Sequence, residues 1–169
     1  LTTMMYGIHA QGAWREKGKN RIDGGAHFYD TYETRDSKFI SLAAAEPQFY
    51  ALLLELLGVE DKELHEDRMN PERWPAFKEK FASIFKTRTR DEWDAILEGT
   101  DACYAPVLDF DEAPKHPHNV ARKSFIQVEG VTQPAPMPRF SRTCPDEPTA
   151  PPVAGANNVD ALADWGFSD

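Results

Sequence analysis

Apolar positions along this chain repeat with two different periods, and the switches between them mark out its elements. Between residues 1 and 14, Met4, Met5, Ile8 and His9 share one face, which predicts the end of a helix. Residues 15–21 are basic and polar and include Gly18, so they read as a connector, and Asp23-Gly24-Gly25 reads as a turn. Residues 27–34 are rich in aromatic and β-branched side chains and predict a strand. Arg35-Asp36-Ser37-Lys38 predicts a tight turn, and residues 39–43 the returning strand. A helix follows over residues 47–57, with Pro47 at its first position and Gly58 at its end. Phe49, Tyr50, Leu52, Leu53, Leu54, Leu56 and Leu57 cover nearly its whole circumference, so burial on most sides is expected.

The helical period returns after Asn70-Pro71 in the stripe Trp74, Phe77, Phe81, Ile84, Phe85. Thr89-Arg90-Asp91-Glu92 has the form of a capping box, followed by Trp93, Ile96 and Leu97 on one face and closed by Gly99. Residues 102–108 predict a strand, residues 111–114 and 117–122 single helical turns, and residues 125–128 and 131–133 a hairpin around Glu129-Gly130. Residues 134–152 are rich in Pro and Thr, the mark of an extended surface linker, and residues 159–165 predict a short helix with Leu162 and Trp165 on one side. The fold class expected is α+β. A small domain spans residues 15–133, entered by a helix over residues 1–14. An extended linker over residues 134–153 leaves it and leads to a closing helix over residues 154–169.

Composition narrows the function. With 169 residues, four Trp, ten Phe and five Tyr, the chain can bury a real core. Its net charge of −9 argues against nucleic acid and anionic membranes as partners. The same charge places a polyphosphate-binding site mostly on some other segment. Two cysteines, Cys103 and Cys144, are too few for a disulfide scaffold and suit a reducing compartment, with a cytoplasmic location expected. No run of apolar residues is long enough to span a bilayer, no signal peptide is visible, and no ligand spacing suggests a metal. The chain opens on Leu1, which fits a trimmed or split product.

Three stretches resemble one family. They are Asp23-Gly24-Gly25-Ala26-His27-Phe28-Tyr29-Asp30 with Tyr32-Glu33-Thr34, then Ala45-Glu46-Pro47-Gln48-Phe49-Tyr50, then Gln133-Pro134-Ala135-Pro136-Met137-Pro138-Arg139-Phe140-Ser141-Arg142-Thr143. In this order they are similar to the C-terminal half of the α-methylacyl-CoA racemase branch of the family III CoA-transferase (CaiB/BaiF-type) superfamily. Ala105-Pro106-Val107 and His116-Pro117-His118 extend the likeness. Transferases of the superfamily tend to carry an Asn-Asp-Arg-Gln-Phe-like stretch where this chain has Ala45-Glu46-Pro47-Gln48-Phe49, so Glu-Pro favours the racemase branch. Two positions depart from the family pattern: His27 stands where Pro is usual, and Ser37 where the hairpin usually has Gly, so Ser37 is expected to be strained.

The resemblance implies a small α+β domain joined by two crossing linkers to a large Rossmann-like domain. It also implies an interlocked homodimer whose active site lies between the large domain of one chain and the small domain of the other. The implied activity is epimerisation of the 2-methyl centre of an acyl-CoA thioester through an enolate, with no cofactor beyond the CoA of the substrate. The implied proton-transfer bases, a His and an Asp, belong to the large domain, so this chain by itself is expected to be inactive. The alternatives are a CoA transferase of the same fold and a non-catalytic dimerisation module.

Glu46 matches the family's small-domain carboxylate that pairs with the catalytic His. Read from the residues alone, Pro47 biases Glu46 towards the N-cap of the helix, where a carboxylate complements the positive end of the dipole. By the resemblance, Ile22, Tyr29 and Ala45 face the acyl pocket of the partner, whereas an aromatic such as Tyr29 in a strand is by default a core residue. Met4 and Met5 are core-facing by default, and a flexible Met surface would also suit a varied acyl tail. His116 and His118 flank Pro117 and read as helix-start residues, and Cys103 has no base beside it in sequence. Arg139 and Arg142 are open between anchoring the linker and reaching another subunit.

Overall fold

A computed structural model describes residues 1–167, so the last two residues of the expected closing helix, Ser168 and Asp169, lie outside the described part. The chain divides into two compact units, Leu1–Leu108 and a second that begins at Asp109.

The first unit opens with helix α1 (Thr2–Ala10), none of whose residues is buried. A three-stranded antiparallel sheet follows in the order β1 (Thr31–Glu33), β2 (Phe39–Leu42), β3 (Tyr104–Val107). Tyr32 lies opposite Ile40, and Ile40 opposite Pro106. The turn between β1 and β2 is closed by the Thr34 amide on the Lys38 carbonyl at 2.8 Å, and Ser37 takes φ 60°, the left-handed conformation expected of a non-Gly residue in a Gly position.

Between β2 and β3 come α2 (Pro47–Leu57), α3 (Lys62–Glu66), α4 (Trp74–Phe85) and α5 (Arg90–Leu97). Gly58 ends α2 in the left-handed conformation, and the Thr89–Glu92 capping box of α5 is present in both directions. One face of α2 is fully buried through Tyr50, Leu53 and Leu54. Phe49, Leu52, Leu56 and Leu57 are half-buried on its flanks, so burial is less complete than the sequence suggests. The stripe of α4 meets Phe28, Tyr32 and Tyr50 in an aromatic cluster: Phe81 lies 5.9 Å from Tyr32, Phe85 5.4 Å from Tyr32 and 5.2 Å from Trp93.

Two expectations are corrected, and one element is new. The strand expected over residues 27–34 is only Thr31–Glu33, because the Tyr29 amide turns back onto the Ala26 carbonyl and carries His27 and Phe28 into the core. The helix expected from Asn70-Pro71 starts at Trp74, because the Asn70 side chain and carbonyl accept from Glu72 and Arg73 in a preceding turn. Helix α3 went unforeseen, since only Leu64 of its five residues is buried and a single turn shows no period.

The second unit contains a 3-10 turn (Ala113–Lys115), α6 (Pro117–Ala121), the antiparallel hairpin β4 (Phe125–Val128) and β5 (Val131–Pro134), and α7 (Asn158–Asp164). Between β5 and α7 the chain runs without regular structure.

Candidate functional site

The start of α2 is where the local sequence does most to place a side chain. Ala43 closes onto the Cys103 carbonyl at 2.9 Å, and the Ala45 amide onto the Ala43 carbonyl at 2.7 Å, so the chain turns sharply as it leaves β2. Glu46 then sits at the N-cap with φ −82° and ψ 146°, the extended conformation that a following proline favours. Its carbonyl accepts the Tyr50 amide at 3.0 Å and so opens the helix. Its side chain makes no capping bond and is exposed. The position is that of a cap, but the carboxylate is not used as one and remains available to another group.

Ala45, directly before it, is buried, and its carbonyl accepts from Arg68 Nη1 at 3.1 Å. The Arg68 guanidinium lies 5.4 Å from the Phe28 ring centre and 5.2 Å from that of Tyr50. Tyr29 follows Phe28, is half-buried and packs against the same core. Ile22 is 36% exposed and lines a groove of about 440 Å³ with Met4, Ile8, Trp14, Met69 and Trp74. Arg15, Lys19 and Arg21 also line that groove, with Arg15 paired to Glu72 at 3.2 Å and Lys19 to Glu16 at 2.7 Å. The Asp23-Gly24-Gly25 turn beside Ile22 is tight. A Cβ on Gly25 would meet the Asn20 carbonyl at 2.4 Å, and the Asn20 amide bonds to Asp23 Oδ1 at 2.8 Å. Lys78 from α4 holds this loop at two points, the Gly24 carbonyl and the Asp30 carboxylate.

Of the sequence-predicted residues, Glu46 and Ala45 therefore sit together at the helix start, Tyr29 next to a ring that carries Arg68, and Ile22 in the groove. Arg68 and Met69 connect these places, one bonding to Ala45 and the next lining the groove. Neither Arg68 nor Lys78 was legible as a site residue. Arg68 ends the polar run His65-Glu66-Asp67, which reads as a solvated face, and only the tertiary fold brings it to Ala45.

His27 occupies the middle of the core. Its Nε2 lies 2.8 Å from the Tyr50 hydroxyl, which also donates to the Leu64 carbonyl at 3.1 Å. With its single proton given to Leu64, the hydroxyl accepts from the imidazole, which leaves Nδ1 buried without a partner. Burial, then the charges of Arg68 and Lys78, hold the imidazole neutral, with its pKa pushed down to about 3. Cys103 has the opposite problem for a nucleophile: burial and the charges of Glu46 and Asp101 push its thiol up. His116 Nδ1 accepts the His118 amide at 3.3 Å and caps α6, and Arg139 donates to the Lys123 carbonyl at 2.6 Å, which anchors the linker. Among the described residues no group of three or more His, Cys, Asp or Glu could hold a metal ion, and no helix is long and apolar enough to cross a membrane.

The chain belongs to CoA-transferase family III, whose sequence profile matches residues 1–158. Two relatives are α-methylacyl-CoA racemases. That of Mus musculus is 45% identical over 172 residues, covering 99% of this chain and 45% of the relative, and that of Homo sapiens is 40% identical over 175 residues, covering 99% and 44%. The chain thus spans under half the length of the curated relatives it matches. The structure of a CAIB/BAIF family protein from Brucella suis superposes with a TM-score of 0.64 at 19% identity, over 96% of this chain and 43% of that one, a likeness of fold.

Proposed function

We propose that this chain supplies the small-domain side of an α-methylacyl-CoA racemase site, with Glu46 as its reactive carboxylate. The carrying observation is that Glu46 stands at the start of α2 with its side chain exposed and unspent on the cap, in a chain 45% identical to the mouse racemase. Removing the weakly acidic proton beside a thioester and returning it on the other face needs two bases with pKa values near neutrality. Those bases, a His and an Asp, are contributed by a large domain. Glu46 sits against the His, fixes its tautomer and raises its pKa.

In the same reading Ile22, Tyr29 and Ala45 face the acyl chain. The groove that holds Ile22, with its Met4 and Met69 walls, adapts to tails of different shape. The partners are an acyl-CoA, the large domain, and a second subunit in an interlocked homodimer. The chemistry needs no cofactor other than the CoA of the substrate. The apolar side chains exposed on α1 and α7, Met4, Leu162 and Trp165 among them, are covered by the large domain. The free thiols of Cys103 and Cys144 suit a reducing, cytoplasmic setting.

The test is α-proton exchange of a 2-methylacyl-CoA in deuterated water. This chain alone gives only background exchange, because both proton-transfer bases are elsewhere. In the enzyme assembled with its large domain, Glu46→Gln lowers turnover by about 10²- to 10³-fold while changing folding stability by no more than about 1 kcal/mol. Exchange by the isolated chain, or near wild-type turnover of Glu46→Gln, overturns the proposal.

A further inference from the structure

Glu46 has an anchoring problem that its own segment does not solve. On its C-terminal side the first helical residue is Pro47, which has no N–H to fasten. The Glu46 carbonyl is held by the Tyr50 amide at 3.0 Å, but its side chain makes no capping bond, so no hydrogen bond at the cap holds the carboxylate. On its N-terminal side the Ala45 amide is spent on the Ala43 carbonyl, and the remaining handle is the Ala45 carbonyl.

Arg68 takes that handle, bonding through Nη1 at 3.1 Å. Its guanidinium is itself held over two aromatic faces, Phe28 and Tyr50, and its main-chain carbonyl accepts from Trp74 Nε1 at 2.8 Å. Both ends of the residue are thereby fixed to the buried core. Among the described residues no carboxylate forms an ion pair with it, so its contacts are one carbonyl and two rings. A planar cation satisfies that geometry and an ammonium does not, because only the guanidinium can stack and donate in the plane of the stack.

We propose that Arg68 is a positioning residue for Glu46: by clasping the Ala45 carbonyl from the aromatic core it sets where the Glu46 carboxylate points. This rests on the reading of Glu46 as the reactive carboxylate. Because a small misplacement of a catalytic group is costly, the effect falls on turnover more than on substrate affinity.

The experiment is a double-mutant cycle in the enzyme assembled with its large domain, reading kcat, KM and Tm for Arg68→Met, Arg68→Lys, Glu46→Gln and the pair Arg68→Met/Glu46→Gln. Arg68→Met is expected to lower kcat by about 10- to 100-fold, with KM within about 3-fold. Arg68→Lys, which keeps the charge but loses the stack, is expected to lose at least about 3-fold in kcat with Tm unchanged. The pair is expected to fall within about 3-fold of Glu46→Gln alone, since a misaimed group that has already been disabled has little left to lose. Wild-type kcat in Arg68→Met beside a disabled Glu46→Gln overturns the role of Arg68 and leaves that of Glu46 standing. An equal loss from Arg68→Met in both backgrounds also overturns it, since Arg68 would then act by another route. If Glu46→Gln itself turns over normally, both readings fall. If Arg68→Met does not fold, Arg68→Lys decides, and wild-type kcat in that variant overturns the proposal.

Discussion

Every fully buried side chain among the described residues lies between Asn20 and Ala102, in the first unit, and none lies in the unit that begins at Asp109. The first unit builds an aromatic interior in which Phe28, Phe77, Phe81 and Phe85 are completely inaccessible. The second consists of a hairpin and three short helical segments, and its larger apolar side chains, Phe110, Met137, Phe140 and Trp165, are exposed. The difference teaches that one aromatic interior carries the packing of the first unit, while the second keeps its large apolar side chains at the surface.

The sharpest way to break this comparison is to remove one ring from each unit. Phe81→Ala is expected to destabilise the chain by about 3–5 kcal/mol, the usual effect of deleting a buried aromatic. Phe140→Ala is expected to change stability by less than about 0.5 kcal/mol. Urea unfolding of the two variants checks this, and comparable losses would mean that the second unit hides a core of its own.

Acid should expose the same contrast through His27. Its folded pKa is depressed to about 3, so the unfolded chain, with an ordinary imidazole, takes up a proton at a higher pH than the folded one. Stability from this group is present above the ordinary His pKa and is lost as pH falls through the window down to about 3. Between pH 6.5 and 4 the loss is about 3 kcal/mol. Unfolding measured across that range should be steep in the native chain and flatter in His27→Leu, and equal slopes would remove His27 from the account.

Smaller effects sharpen the comparison at helix ends. Thr89→Ala removes a two-way capping box from α5 and should cost about 1 kcal/mol. Asn157 at the start of α7 makes no side-chain capping bond, so Asn157→Ala should alter stability by only a few tenths, about 0.3 kcal/mol or less. Thermal unfolding distinguishes the two, and a larger effect at Asn157 would show that α7 is supported in a way its exposure hides.

Much of this molecule was legible in the chain because its signals are local. Helix α2 begins at Pro47 and ends before Gly58, the α5 capping box is visible in four residues, and the stripe Trp74, Phe77, Phe81, Phe85 names the core outright. Proline at the first helical position likewise puts Glu46 at an N-cap, since both constraints act on neighbouring dihedrals. What the chain could not announce depends on distant partners. Residues 27–30 have strand composition yet bend, because burying His27 and Phe28 under α4 outweighs local preference. Whether the Glu46 carboxylate is consumed as a cap is a matter of side-chain direction, and the bond to the neighbouring Ala45 carbonyl comes from Arg68, 23 residues away in sequence. A guanidinium in a run of charged residues looks solvated until the fold lays two rings beneath it. Periodicity and capping act through neighbouring residues and are written in the sequence, whereas contacts such as that of Arg68 with the Ala45 carbonyl and the Phe28 and Tyr50 rings exist only once the core has closed.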